Sequence, residues 1–398
     1  MAAKYLLFNQ MAGPLFRELA FELAERQGGE TLLFTGHPDT VELGPQLGAL
    51  TIVPMPAYDR RSIARRLLSW LNYTTRALLR MITMPRSSVA LVVSNPPIMG
   101  PVLWLAGLLG RRYFVLVYDL HPDTLEAMGS LPQNGVIARI WRALNKRVWN
   151  RAEGVFTIGG RMARRLTQQF DPSKTKLGKV EVIPVWADTN NLKPLPRAEN
   201  SFAKELGVED KTVVLYSGNM GISHDIDSIL SAAELLKDQD DIAFVLIGEG
   251  AKWQEAYDFK HSKNLTNLQV LPFQPEDRLP QSLSMADISL VALDPGAENL
   301  MIPSKTFYYM AVGSAILAIC QDGSELSDVI ADGQCGLVMA PGKPEKLASA
   351  IVSLADNKSK LDQMKTNARE YCLTHHSREL CTSQFVDLLV SIESHDHA

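Results

Sequence analysis

Short runs rich in β-branched and aromatic residues alternate with longer amphipathic segments along nearly the whole chain, and this leaves few folds open. A short apolar run crosses a sheet once. A longer segment with one apolar face then returns over that sheet as a helix, so the next strand lies parallel to the first. In the first half, strands are expected at Tyr5–Phe8, Thr31–Phe34, Leu50–Val53, Val89–Ser94, Phe114–Val117, Gly154–Ile158 and Val180–Ile183. Helical patterns fall between most of them, at Phe16–Arg26, Ser62–Thr83, Val102–Leu109, Ile137–Arg151 and Arg161–Phe170. The polar, Pro-containing stretch Thr189–Ser201 reads as a linker. A second alternation follows, with strands expected at Thr212–Tyr216, Phe244–Ile247, Leu268–Leu271, Ile288–Leu293, Ala315–Ile319 and Gly336–Met339. The fold class is therefore α/β, with two doubly wound, Rossmann-like domains, 1–187 and 188–372, facing each other across a cleft.

The composition, 46% hydrophobic and 21% charged, excludes disordered and fibrous classes. A net charge of −4 conceals an asymmetry: residues 1–187 hold 23 Lys and Arg against 13 Asp and Glu, while the remainder holds 17 against 31. The basic half is expected to face something anionic, such as membrane headgroups, phosphorylated lipid or nucleic acid. No nucleic-acid recognition module accompanies the arginines, and nucleic acid is not an expected partner. Four cysteines without CxxC spacing fit a reducing cytoplasm. Cys372, His375, His376 and Cys381 offer ligating atoms, but in no zinc spacing. Met1–Lys4 runs straight into the first expected strand, without the pattern of an export signal. The longest apolar stretch, Pro96–Gly110, is shorter than the roughly 20 residues a spanning helix needs and is expected to be a buried helix.

Three motifs could meet a phosphate. Ser217-Gly218-Asn219-Met220-Gly221 follows the first strand of the second half and precedes a helical segment, the place where glycines let backbone N–H groups approach an anion. By itself it equally describes a tight turn. Gly248-Glu249-Gly250 ends another strand in the same way, and Phe273 in the Pro272-Phe273-Gln274 turn is either core or a wall beside a nucleotide base. Pro303 suits a first helical turn, which sets Ser304 and Lys305 at a helix N-terminus with Gly313 at its end. A cation there opposes the helix dipole unless an anion is shared with it, so Lys305 points to a phosphate site.

Together with the Val182-Ile183-Pro184 junction, these motifs resemble the retaining glycosyltransferases of the GT-B fold, family 4. Ser94-Asn95-Pro96-Pro97 and Tyr118-Asp119-Leu120-His121-Pro122 are similar to the bacterial subgroup that builds exopolysaccharide, O-antigen and capsule chains. The resemblance implies a nucleotide-diphosphate-sugar donor held by Gly218, Asn219, Gly221, Gly248, Glu249, Phe273, Ser304, Lys305 and Tyr308, with Tyr118, Asp119 and His121 near the transferring sugar. It also implies an acceptor, a glycan or a lipid-linked sugar, near Gly13 and Asn95, and a C-terminal helix, residues 373–398, returning to the first domain. His375-His376-Ser377 does break the helical pattern, and Phe385–Val390 starts a fresh apolar stripe. The leaving diphosphate itself can take the acceptor proton, so few dedicated side chains are needed. No cofactor and no divalent metal are expected, since no Asp-x-Asp or zinc-spaced cluster accompanies the phosphate motifs. The sequence departs from the family in its paired-glutamate motif: Tyr308 and Leu300 occupy those places, with Glu298 nearby. The family's arginine near Ile222 is missing, and Tyr118 stands at the place of its N-domain histidine, with His121 either a neighbouring imidazole or a structural histidine. A sugar-nucleotide epimerase and a non-catalytic scaffold of the same fold remain as alternatives.

From Asp59 to Arg86 the chain holds one carboxylate, and Arg61, Arg65, Arg66, Arg76, Arg80 and Arg86 lie beside Leu67, Trp70, Leu71, Leu78 and Ile82. This is the pattern of an interfacial helix, and equally of a packed helix with solvated arginines. The expected setting is the cytoplasmic face of a membrane, where each basic residue near an anionic surface adds about 1 kcal/mol.

Overall fold

The computed structural model describes residues 4–27, 30–59, 61–127, 129–221, 224–293 and 302–394. The described residues form two compact units: 4–184 with 379–394, and 185–293 with 302–378.

In the first unit, strands β1 (Tyr5–Phe8), β2 (Thr31–Thr35), β3 (Gln46–Leu47), β4 (Leu50–Pro54), β5 (Val89–Val93), β6 (Tyr113–Val117), β7 (Gly154–Thr157) and β8 (Val180–Val182) make one sheet. Their order is β3-β4-β2-β1-β5-β6-β7-β8, parallel throughout except for the two-residue edge strand β3. The connecting helices are α1 (Pro14–Gln27), α2 (Pro38–Glu42), α3 (Ile63–Thr83), α4 (Met99–Leu108), α5 (Asp123–Ala127), α6 (Val136–Trp149) and α7 (Gly160–Thr167). From β1 the chain steps one way to β2 and β4, then reverses and steps the other way from β5 onward. Right-handed crossovers therefore put α1 and α2 on one face and α3, α4, α6 and α7 on the other. Side-chain alternation agrees. Leu6, Phe8, Leu32, Phe34 and Val115 pack with Tyr73 of α3, Leu103 of α4 and Val148 of α6.

The helix α3 begins at Ser62, whose Oγ accepts from the Arg65 amide at 3.2 Å. It buries Tyr73, Thr74, Ala77 and Met81 and leaves most of its circumference in solvent. Just beyond its end, the buried Arg111 donates to the carbonyls of Met84 at 2.7 Å and Ser88 at 3.1 Å, fixing the turn into β5.

The second unit starts with α8 (Ser201–Leu206) and builds a six-stranded parallel sheet from β9 (Thr212–Asn219), β10 (Ile242–Glu249), β11 (Leu268–Leu271), β12 (Ile288–Ala292), β13 (Ala315–Ile319) and β14 (Gly336–Met339). The order is β11-β10-β9-β12-β13-β14, so the direction of travel reverses between β9 and β12. Helices α9 (Ile226–Leu235), α10 (Trp253–Ser262), α11 (Leu279–Ser284), α12 (Lys305–Ala311), α13 (Glu325–Gly333), α14 (Pro344–Asp356) and α15 (Lys358–His375) cover it. The core runs from Val214, Tyr216, Leu246 and Leu290 to Ile229 on α9 and Ile351 on α14. At the sheet's far end the half-buried Asp287 carboxylate meets Arg197 at 2.6 Å and Lys365 at 2.8 Å. Burial works to raise its pKa, but the two cations outweigh that and hold it below the usual range.

After α15 ends, α16 (Arg378–Ser394) joins the first unit. Phe385 lies edge-on to Phe156 of β7 at 5.0 Å, and Asp387 accepts from Arg26 of α1 at 2.6 Å.

Three differences from the sequence expectations matter. Strands β9 and β10 continue through Asn219 and Glu249, because Gly218 pairs with Gly248 and keeps the ladder intact into the glycine motif. The Pro96–Gly110 helix is not wholly buried: α4 packs Met99, Val102 and Leu103 inward, but Trp104, Leu105 and Leu108 are exposed on its outer side. Phe273 is 48% exposed and so is not core. Ile222, Glu298 and Leu300 lie outside the described residues. Among the described residues no helix is long and apolar enough to cross a membrane.

Candidate functional site

In an open parallel sheet, ligands bind beyond the carboxyl ends of the strands where the strand order reverses. In the second unit that point lies between β9 and β12, and the phosphate motifs converge on it. Gly218 has φ +138°, a conformation that strains any residue with a Cβ, and such an atom would fall 3.2 Å from the Lys305 ammonium. Gly248 is closed off more severely, because a Cβ there would sit 1.9 Å from the Gly218 carbonyl oxygen. Two bare backbones thus lie side by side in the ladder, and Lys305 lies against the Gly218 one.

The Lys305 ammonium rests on one aromatic ring. Its Nζ stands 3.8 Å from the centroid of the Tyr216 ring, a cation–π contact. One helical turn on, Tyr309 shares the Lys305 face and reaches the same strand end, where its hydroxyl accepts from the Ser217 amide at 2.7 Å and donates to the Ser217 carbonyl at 2.8 Å. Tyr216 donates in turn to the Asn219 carbonyl at 2.8 Å, and its hydroxyl lies 3.0 Å from Nδ1 of His224. Met220 donates to the Glu249 carbonyl at 2.7 Å, so the loop stays tied to β10. Lys305 and the glycines are visible in the sequence as phosphate-site residues; Tyr216, Tyr309 and His224 are not. Only the Lys305–Tyr309 spacing of four residues could have revealed the clamp, since tyrosines in apolar runs read as core.

Other expected donor residues surround this centre at varying distance. Asn219 and Glu249 end paired strands with exposed side chains, and Gly221 follows in the loop. Ser304 is the N-cap of α12 with no side-chain capping hydrogen bond. Tyr308 is partly buried beside it. Phe273 follows β11, which lies two places from β9 in the sheet.

In the first unit the reversal lies between β1 and β5, and Gly13 and Asn95 follow those two strands. Tyr118, Asp119 and His121 follow the next strand, β6. Ser94 holds them: its Oγ accepts from the Tyr118 amide at 3.1 Å and from the Asp119 amide at 3.2 Å. Asn145 of α6 donates to the His121 carbonyl at 2.8 Å, and the His121 ring lies 6.0 Å from Trp141. Asp119 and His121 line a small cavity of about 40 Å³ shared with Ser94, Pro97, Trp141 and Asn145. Burial pushes the Asp119 carboxyl up and the His121 imidazole down, each partly countered by the other's charge. Burial also pushes the Tyr118 phenol up. The trio is thereby biased toward its uncharged forms. Just beyond, the buried Asp123 carboxylate takes Arg142 at 2.6 Å, Arg165 at 2.9 Å and Gln169 at 2.7 Å.

On α3, Arg65 is exposed and Arg66 lies 5.7 Å from the Trp70 ring centre, while Arg61, just before the helix, pairs with Asp59 at 2.6 Å. Of the late Cys and His residues, Cys372 and Cys381 are buried, and His376 stacks on Phe307 at 4.2 Å with Nδ1 2.8 Å from the Val185 carbonyl.

The two units match separate family models: residues 12–186 that of the glycosyl transferase 4-like domain, and residues 198–371 that of glycosyl transferases group 1. The chain is a GT-B glycosyltransferase of the family 4 kind. The glycosyltransferase is similar to WbjE of Pseudomonas aeruginosa, named as a glycosyltransferase, with 28% identity over 68% of this chain and 67% of that protein. It is also similar to WcaI of Escherichia coli K12, named for colanic acid biosynthesis, with 24% identity over 85% and 84%. Among solved structures, HepE of Anabaena in complex with UDP superposes with a TM-score of 0.73 at 15% identity, covering 98% of this chain and all of that one. That likeness speaks to the fold.

Proposed function

We propose that the glycosyltransferase takes a sugar from a nucleotide-diphosphate donor and passes it, with retention of anomeric configuration, to a glycan or lipid-linked acceptor in cell-surface polysaccharide synthesis. The observation that carries the donor assignment is the Lys305 ammonium, seated on Tyr216 and beside the Gly218 backbone at the sheet's reversal point. A cation and close-approach backbone in one place suit a diphosphate. In the transfer, the bond from the anomeric carbon to the diphosphate oxygen breaks while a bond to the acceptor oxygen forms on the same face. The acceptor's proton goes to the departing diphosphate. Lys305 stabilises the charge that grows on that group, which is the part of the reaction a fixed cation accelerates.

This reading includes no divalent metal, because Lys305 supplies the countercharge. It also sets the protein against the cytoplasmic leaflet of a membrane, supported by the basic, partly apolar outer side of α3. The HepE structures with UDP and UDP-glucose make uridine nucleotides the first donors to try. The test is a thermal-shift screen of nucleotide sugars followed by product analysis, with and without acceptor and with and without chelator. Transfer that needs an acceptor and survives chelator is expected. A sugar altered with donor alone would identify an epimerase, and activity lost in chelator and restored by manganese would overturn the metal-free reading.

A further inference from the structure

Most of the exposed large apolar side chains among the described residues lie on three helices of the first unit, all on the same face of its sheet. On α3 these include Leu67, Leu68, Leu71 and Ile82, and on α4 Trp104 and Leu108. On α6, Val136, Ile137 and Ile140 are each more than 60% exposed. The same helices carry Arg65, Arg66, Arg76 and Arg80 on α3, and Arg139, Lys146 and Arg147 on α6, with no carboxylate on either. A water-facing helix layer does not leave so much apolar surface uncovered, and the cations around it would repel a basic partner.

Within this surface lies a trough of about 320 Å³ between the start of α4 and α6, lined by Pro97, Ile98, Ile137, Ile140, Trp141 and Leu144 among others. Its wall is almost wholly apolar. Pro97 and Trp141 also line the small cavity that holds Asp119 and His121, so the trough's inner end abuts the carboxyl ends of β5 and β6.

We infer that this trough is a hydrocarbon-chain site, occupied by the lipid chain of an acceptor with an anionic head. The inference rests on the transfer reading above and names its acceptor class. Charge complementarity selects the occupant: the head stays among the cations at an anionic bilayer surface, while the chain leaves the bilayer for the trough. A chain seated there delivers its sugar toward Asn95 and Tyr118–His121, at the strand ends where a parallel sheet binds its ligands.

The test uses the full protein with phosphatidylcholine–phosphatidylglycerol vesicles containing a polyisoprenyl phosphate that bears a photoreactive diazirine in its chain. Cross-links are expected in peptides spanning 97–101 and 137–144, and the double variant Ile137→Glu, Ile140→Glu should lose about tenfold or more of that labelling. Both positions are exposed, and circular dichroism and the UDP-induced melting shift should match the native protein. Label found on other surfaces, or undiminished in the variant, overturns the site. Equal labelling of the trough by a diazirine phospholipid, in vesicles without the polyisoprenyl phosphate, overturns the acceptor and leaves bilayer docking alone. Failure of the native protein to bind any nucleotide diphosphate would sink the transfer reading instead, and the cross-link map would still report on the trough.

Discussion

The reversal points of the two sheets have been furnished in opposite ways. In the second unit the backbone is stripped to glycine, and one cation is brought to the strand end on a pair of tyrosines. In the first, one strand beyond the reversal, the titratable groups Asp119 and His121 are turned onto a small cavity where burial opposes their charge. Under the transfer proposed above, a group that answers a diphosphate has to stay charged, and one beside a neutral sugar and hydroxyl does not. Similar topology thus supports a fixed electrostatic site and a site of hydrogen bonds and shape.

Lys305→Ala should break the contrast most sharply. A hydrogen bond to a charged group contributes about 1.5–3 kcal/mol, so uridine diphosphate should bind roughly ten- to a hundredfold more weakly by calorimetry, with folding unchanged by circular dichroism. The rate should fall further, because the leaving group's charge is greatest in the transition state. Equal affinities would show that the glycine backbone suffices.

Tyr309→Phe asks whether the tie between the Lys305 helix and the strand end matters apart from the cation. It leaves the Ser217 amide and carbonyl without their partner, at a cost of about 1–3 kcal/mol in urea unfolding. Nucleotide affinity should fall, but by less than for Lys305→Ala. A loss of stability with unchanged affinity would reduce Tyr309 to a structural residue.

The clamp illustrates what the sequence could and could not say. Strands such as Leu268–Leu271 and Ala315–Ile319 were legible to the residue, the first as an alternation of buried and partly buried side chains interrupted by Gln269, the second as a run buried on both faces and apolar throughout. The strand β3 was not, since two residues carry no period, and neither were the single turns α2 and α5. Gly218, Gly248 and Lys305 could be found as types with a chemical rationale. Tyr216 and Tyr309 could not, because their role lies in where the hydroxyls point, which depends on β9 and α12 meeting across ninety residues of chain. The outward face of α4 was hidden for the converse reason: an apolar helix reads as buried whatever later packs on it.

In the first unit, Ser94→Ala removes the acceptor for both the Tyr118 and Asp119 amides and should cost about 1 kcal/mol in unfolding. Uridine diphosphate binding should not change, and a change would mean that the two strand-end sites are coupled. His121 sharpens the comparison through pH. Its pKa is lowered in the folded protein, so the unfolded chain binds the proton better, and stability is lost as pH falls below the ordinary histidine value of 6.5. An NMR titration should place the His121 midpoint below that value, and His121→Asn should flatten its share of the acid slope. A midpoint above 6.5 would mean that the Asp119 carboxylate, not burial, governs the pair.

The return of α16 to the first unit has a consequence for how the protein is made. The second unit is, in chain terms, an insertion: its first residue follows Pro184, and among the described residues the first unit resumes at Glu379. At an elongation rate of about 5–20 residues per second, residues 1–184 wait roughly ten to forty seconds for the segment that sets Phe385 against Phe156 and Asp387 against Arg26. The inserted unit can close while its host is still unfinished, so the first half to be synthesised is the last to be completed. During that interval the side of the β7 strand that Phe385 later covers is open to any chaperone near the ribosome.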